Sequence, residues 1–271
     1  MASLAYGRSV AGGVGAAVEA RARRYAALGE PVRLAIVDHL TLGDASPGEL
    51  AAFFDLPSNL AAHHLRVLTE AGLVRRVRSE GDRRRTYLQL VTDDPTVAAL
   101  VQPAALTVAP RRVVFVCTHN SARSQLAASA WQRLSRTPAA SAGTRPAAQV
   151  HPRAVAVAHR HGLRLDRNGT HRVDDVLRAD DLVVAVCDSA HEELAAGFAD
   201  ADGAVRLDGA VRLDGAVRPD GAHESLPAVR GRLHWAVPDP VRVDTDDAFE
   251  TAYADLTHRV TRLATALVDT T

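Results

Sequence analysis

Between residues 21 and 90 the apolar positions fall first at helical and then at alternating spacing. Tyr25, Leu28, Val32, Leu34, Ile36, Val37 and Leu40 suit one core helix, interrupted or started at Pro31. Ser46-Pro47-Gly48-Glu49 carries the Ser-x-x-Glu pattern in which side chain and backbone cap each other, with Leu50, Phe53 and Phe54 as the apolar side that follows. Pro57-Ser58 opens another helix running to Glu70, and Ala71-Gly72 ends it. Residues 73–78 and 85–90 then alternate around Ser79-Glu80-Gly81-Asp82, as the strands of a hairpin do. Residues 97–106 suit a closing helix broken at Pro103. Beyond residue 110 the period changes. Val113-Val114-Phe115-Val116 is a continuous β-branched and aromatic run, expected of a parallel strand buried on both faces. Leu126, Ala130, Trp131 and Leu134 place a helix over 124–133. A short second strand should precede a loop at Ser141-Ala142-Gly143-Thr144, with a helix over 152–162 and a second buried strand over 181–187. Phe249, Tyr253, Leu256, Val260, Leu263 and Leu267 give the last element, 246–268, one apolar face. Strands separated by helices imply an α/β unit with a doubly wound parallel sheet, which binds ligands at the carboxyl ends of its strands.

A chain of 271 residues has room for two such units. We expect a flexible tail over 1–20, a first unit of helices and a hairpin over 21–98, a linker over 99–110 and the α/β unit over 111–271. The sequence Gly-Ala-Val-Arg-Leu-Asp recurs from Gly203 to Asp220, too short a period to bury a core, so 201–222 reads as an insertion. Basic and acidic residues balance at 32 each, and only local patches can attract a charged partner. Cys117 and Cys187 are too few for a disulfide scaffold and suit a reducing, cytoplasmic setting. No apolar run is long enough to span a bilayer, so no membrane partner is expected.

Helix, turn, helix and hairpin together make a winged helix-turn-helix. The stretches 28–34 (Leu-Gly-Glu-Pro-Val-Arg-Leu) and 62–74 (Ala-His-His-Leu-Arg-Val-Leu-Thr-Glu-Ala-Gly-Leu-Val) resemble the ArsR/SmtB repressors over roughly residues 22–92. The resemblance implies a homodimer bound to operator DNA, with the helix from Ser58 in the major groove. Ser58, Asn59, Ala62, His63 and Arg66 would face the bases. Arg83, Arg84 and Arg85, with Arg75, Arg76 and Arg78, would meet backbone phosphates, opposed only by Glu80 and Asp82. The unit has no cysteine, and His63 and His64 are helix neighbours that cannot share one metal from one face, so no metal site is expected.

Chemistry concentrates at Cys117-Thr118-His119-Asn120-Ser121-Ala122-Arg123, a Cys-x5-Arg loop between a strand and a helix start. Backbone amides of Thr118, His119, Asn120, Ser121 and Ala122 could surround a tetrahedral oxyanion, with the Arg123 guanidinium gripping it and the helix dipole adding positive field. The same field favours a Cys117 thiolate nucleophile, which Ser124 could steady. With His234-Trp235-Ala236-Val237-Pro238-Asp239-Pro240, this loop resembles the low-molecular-weight tyrosine phosphatases and the arsenate reductases of the same fold, over about 111–271. The resemblance implies Asp239 as general acid. Two features lean toward arsenate. Gln125 stands where reductases carry glutamine and phosphatases proline, and Val241-Arg242-Val243 stand where tyrosine phosphatases carry aromatics. Cys187 matches a second redox cysteine but equally suits a small apolar residue ending a strand. Leu194 stands where thioredoxin-coupled enzymes have a third cysteine, so a low-molecular-weight thiol or a glutaredoxin-like protein is the expected electron donor, with no bound cofactor. The family's glycine is replaced by His119, which carries strain if that position needs positive φ. A repressor fused to an arsenate reductase is the expected function. A phosphatase fused to a repressor, or a regulator whose second unit only senses oxyanions, are the alternatives.

Overall fold

The computed structural model describes residues 11–101, 110–166, 169–178, 180–199 and 231–268; the repeat and most of the expected linker lie outside the described residues. The first unit comprises α1 (Ala11–Leu28), α2 (Pro31–Leu42), α3 (Pro47–Phe53), α4 (Ser58–Glu70), a hairpin of β1 (Val74–Arg78) and β2 (Thr86–Leu90), and α5 (Pro95–Ala98). Its core is Ile36, Val37, Leu40, Leu50, Leu65, Leu68, Leu73 and Leu88, while Tyr25 and Leu34, expected inside, face solvent. The caps explain the boundaries. Glu30 accepts from the amides of Val32 and Arg33 ahead of Pro31, Ser46 and Glu49 cap each other, and Gly72 takes φ +68° to end α4.

Two expectations need correction here. The tail was expected to reach residue 20, yet α1 begins at Ala11. Its alanine-rich composition favours helix, and it packs on α2 and α4. The closing helix starts earlier and is one turn long, Pro95–Ala98, because Asp94 caps Thr96 with Pro95 at the first position.

The second unit runs β3 (Arg112–Cys117), α6 (Arg123–Leu134), β4 (Ala139–Gly143), α7 (Pro152–Arg160), α8 (Val173–Val176), β5 (Asp181–Ala185), α9 (Asp188–Ala199), β6 (Gly231–His234), α10 (Pro240–Val243) and α11 (Asp246–Val268). Its four strands are parallel in the order β4-β3-β5-β6, the doubly wound sheet expected. Val113, Val114, Phe115, Val116, Val183 and Val184 are fully buried, with Trp131 of α6 and Phe249, Leu256, Val260 and Leu263 of α11 packed around them. Ser141, Ala142 and Gly143 belong to β4 itself instead of the loop after it. Small side chains there let the strand end press on the Cys117–Arg123 loop: a Cβ on Gly143 would lie 2.8 Å from the Thr118 carbonyl and 2.9 Å from the Asn120 amide. Among the described residues, no helix is long and apolar enough to cross a membrane.

The units share a buried polar seam. Trp235 Nε1 donates to the Leu42 carbonyl at 2.8 Å and the Asp44 amide to the His234 carbonyl at 2.7 Å. Asp44 Oδ2 accepts from Gln89, Ala236 and Arg259 at 3.0, 2.7 and 2.9 Å. Residues from the first unit, the β6 exit and α11 therefore meet at one carboxylate.

Candidate active site

The loop after β3 is shaped from outside. Carbonyls of Cys117, Thr118, His119 and Ser121 accept from the amides of Thr144, Arg145, Ala147 and His151 at 2.8–3.2 Å. The two ends of a trans peptide point in opposite directions, so carbonyls tied outward turn the amides of the same peptides inward. One such amide, Asn120 N–H, points at Cys117 Sγ from 3.2 Å. Asn120 makes this possible by taking φ +51°, so the left-handed residue of the loop is Asn120 and His119 carries no such strain. Its side chain fixes the rest. Nδ2 donates to Ser124 Oγ at 2.9 Å, and Oδ1 accepts from the His171 amide at 2.8 Å. With its oxygen engaged by Asn120, the Ser124 hydroxyl hydrogen is free to reach Cys117 Sγ, 3.1 Å away.

The facing wall comes from residues 237–242 and, unexpectedly, from the wing. Buried Arg123 donates from Nη1 to the Val237 carbonyl at 2.9 Å, and its Nη2 lies 3.2 Å from Asp239 Oδ2. Asp239 Oδ1 accepts from the Val241 amide, and the Asp239 amide donates to Glu80 Oε2 at 3.0 Å. That Glu80 oxygen lies 3.7 Å from Arg123 Nη1. Burial raises the pKa of the Glu80 carboxyl above the ordinary value, with Arg123 opposing. The cavity, open to solvent on one side, is about 270 Å³, and its lining includes Thr118, Cys187, Asp188, Arg145 and Arg242 but no Phe, Tyr or Trp among the described residues.

Cys117, Thr118, Asn120, Ser121, Ala122, Arg123 and Ser124 are buried on one loop and helix start, Asp239 lies beside Arg123, and His119 is exposed at the rim of the cavity. Cys187 lies past the end of β5, its Sγ 3.6 Å from Thr118 Oγ1. Burial pushes its thiol up and the nearby Cys117 adds to this, against Arg123. Gln125 is buried and joined to the Gly169 carbonyl and the Asp166 amide, so it braces the loop from behind. The Glu80 contact went unread in the sequence, because a lone acid in an arginine-rich turn looks like a counter-charge. Asp188 was also missed. It bonds His234 at 2.9 Å and accepts the Glu80 amide at 2.7 Å, and these bonds hold its carboxyl below its ordinary pKa although burial opposes them.

On the first unit, Ser58, Asn59, Ala62, His63 and Arg66 line the exposed face of α4, and Arg83, Arg84 and Arg85 are exposed on the wing. Arg66 is paired with Glu70 at 2.8 Å, Arg84 with Asp82 at 3.0 Å and Arg75 with Asp93 at 2.9 Å. The counter-charges of the patch are thus Asp82 and Asp93, while Glu80 turns away toward Arg123.

Comparison with known proteins finds a family match in each unit. Residues 28–77 match the family described as a helix-turn-helix domain, and residues 112–209 match the low molecular weight phosphotyrosine protein phosphatase family. Solved structures similar to the second unit include an arsenate reductase from Archaeoglobus fulgidus, 24% identical, covering 56% of this chain and 98% of its own, at a TM-score of 0.40. Another is a thioredoxin-dependent arsenate reductase from Corynebacterium glutamicum, 19% identical over 64% of this chain and 67% of its own, at 0.38. A third is the tyrosine phosphatase Wzb from Escherichia coli in complex with sulphate, 20% identical over 58% of this chain and 99% of its own, at 0.42. No curated protein sequence matches.

Proposed function

We propose that this chain, a helix-turn-helix domain continued into a low-molecular-weight phosphatase-type domain, is a DNA-binding repressor that also reduces arsenate with thiols. The observation that carries the catalytic half is the contact set of Cys117 Sγ, the Asn120 amide at 3.2 Å and Ser124 Oγ at 3.1 Å, beside Arg123, which pairs with Asp239 in the wall of the cavity. Such a site makes a sulfur nucleophile, holds a tetrahedral dianion and supplies a proton to the departing oxygen. A small cavity with no aromatic among its described lining residues favours an inorganic oxyanion over a phenyl phosphate.

In this reading arsenate lies on the loop amides and Arg123. Cys117 sulfur attacks arsenic, an As–O bond breaks, and Asp239 protonates the oxygen, which leaves as water. A low-molecular-weight thiol then attacks the Cys117 sulfur. The electron pair of the S–As bond passes to arsenic, which departs as arsenite, and the two sulfurs are left as a mixed disulfide. A glutaredoxin-like partner or a second thiol reduces it. Cys187, buried and held as a thiol, is not required as the attacking group. The exposed face of α4 would read operator bases and the wing arginines the phosphates, as a homodimer on a two-fold site.

The test is turnover of arsenate to arsenite by the full chain and its Cys117→Ser variant with several thiol donors, beside aryl-phosphate hydrolysis. Arsenite formation dependent on Cys117 and thiol supports the reading. Vigorous phosphatase activity without arsenite rejects it.

A further inference from the structure

The wing and the catalytic loop meet at one side chain. Glu80 Oε2 accepts the Asp239 amide and faces Arg123 Nη1, so its carboxylate forms part of the wall of the oxyanion cavity. The remainder of the turn is fastened to the start of α9. Glu80 N donates to Asp188 at 2.7 Å, Asp82 N and Ser79 Oγ to the two oxygens of Glu192 at 2.8 and 2.7 Å, and Tyr87 OH to Glu192 at 3.0 Å. The approach is so close that a Cβ on Gly81 would collide with Glu192 Oε2. Here the turn of the hairpin, which a winged helix can offer to DNA, is seated in another domain.

Charge makes that seat conditional. Arg123 already faces two carboxylates, Asp239 and Glu80, and donates to the Val237 carbonyl. A tetrahedral dianion drawn to the same guanidinium brings more negative charge than the carboxylate does, and the two like charges cannot both stay close in a partly desolvated cavity. Asp239 is tied into the start of α10 by its own bond to Val241. Glu80 meets Arg123 only at 3.7 Å, against 3.2 Å for Asp239, so it is the carboxylate whose side chain is the more easily displaced.

We propose that Glu80 is an internal occupant of the oxyanion site, a carboxylate that holds Arg123 until a tetrahedral dianion displaces it and frees the wing turn. This rests on the reading that the Cys117 loop binds such anions, but not on whether arsenate or a phosphate ester is the substrate. Arg83, Arg84 and Arg85 follow the turn directly, so its release alters how they are presented to a duplex. By linkage, DNA that prefers one wing position must shift oxyanion affinity by the same factor.

Inorganic phosphate is the probe, titrated calorimetrically into the full chain and into Glu80→Gln. Glutamine keeps an acceptor for the Asp239 amide while removing the charge. Amide exchange across residues 79–82 is followed in the unsubstituted chain with and without phosphate. The expected result is phosphate binding tighter by about tenfold or more in Glu80→Gln, as loss of one facing like charge implies. Phosphate should also accelerate exchange in the turn while β3 stays protected. Binding seen only in Glu80→Gln would show a carboxylate that excludes the anion without yielding to it, and overturns the displacement. Equal affinity in both proteins, with the turn still protected under saturating phosphate, overturns the proposal and leaves the catalytic reading standing. Absence of phosphate binding in both overturns the two together. Should Glu80→Gln fail to fold, the exchange measurement on the unsubstituted chain decides.

Discussion

Asp44 and Arg259 stand 215 positions apart in the chain and form a 2.9 Å ion pair with both side chains buried. Arg259 also reaches Asp255 at 2.8 Å, so its charge is shared by two carboxylates. Removing the carboxylate with Asp44→Ala leaves a buried guanidinium short of one of its two carboxylate partners and strips acceptors from Gln89 and the Ala236 amide. The expected loss is about 3–5 kcal/mol of unfolding free energy. Adding Arg259→Met should recover part of it, since the under-compensated buried charge is then gone. Urea unfolding of the two variants checks both, and an Asp44→Ala protein as stable as its parent would show the seam to be weak.

Asn120 combines a left-handed backbone with three side-chain bonds. Asn120→Gly relieves the backbone and loses the bonds, whereas Asn120→Ala loses the bonds and keeps strain of about 1–2 kcal/mol. Both should lower kcat, and the glycine variant should melt at the higher temperature. Paired thermal scans and steady-state kinetics separate the two effects; an alanine variant with unchanged kcat would free Asn120 of its role in aligning Ser124.

Cys187→Ala should retain most arsenate turnover when a low-molecular-weight thiol is supplied, because burial holds the Cys187 thiol above its ordinary pKa. Mass spectrometry of the quenched reaction should find the small thiol on Cys117. A Cys117–Cys187 disulfide as the only trapped species would make Cys187 the resolving residue.

Stability should fall on the acid side. His39, packed against Phe53 and Phe54, is lowered by burial from 6.5 to about 4. The unfolded chain therefore binds a proton there that the folded chain refuses. The neutral His39 is accommodated fully above pH 6.5, and stability drops as pH falls from there toward 4, by at most about 3 kcal/mol. Glu49 is depressed to about 2 by its bonds to His191 and Ser46 although burial opposes them. Its contribution is complete above pH 4.5 and is lost toward pH 2, in the same direction. His39→Gln should flatten the slope between pH 6.5 and 4; an unchanged slope in urea titrations would assign the acid loss elsewhere.

For DNA, Asn59→Ala and Arg83→Ala should differ in kind. The first removes an exposed side chain of α4 and should cost about 1–3 kcal/mol on a selected duplex and little on random DNA. The second should weaken both and reduce the salt slope by about one. Fluorescence anisotropy against a duplex selected from random sequence gives both numbers. Equal losses on both duplexes for Asn59→Ala would remove α4 from base reading.

Much of this was readable in the chain because local signals and the fold agree. The capping pair Ser46 and Glu49, the stop at Gly72, the run into Cys117 and the face of α11 are each local. The Cys117–Arg123 loop was equally legible, since its residues are contiguous, and Asp239 followed from the Asp-Pro step that resembles the family's acid. What stayed hidden lies between the units. Asp44, Gln89 and Arg259 look like ordinary surface residues until the fold brings them together, and Glu80 looks like a partner for the wing arginines. Gly143 belonged to β4 and not to a loop because its lack of a side chain is spent on contact with Thr118 and Asn120.

The seam at Leu42, Asp44 and Gln89 also bears on how such a protein can change over time. Its halves are not interchangeable cassettes. A different regulatory half grafted ahead of the same catalytic half would have to offer Trp235 a carbonyl and Arg259 a carboxylate. Without them Arg259 would keep only Asp255, and an unmatched indole N–H would remain where the old boundary had been. Inheritance of the two halves as one gene is therefore written into the packing as well as into the reading frame.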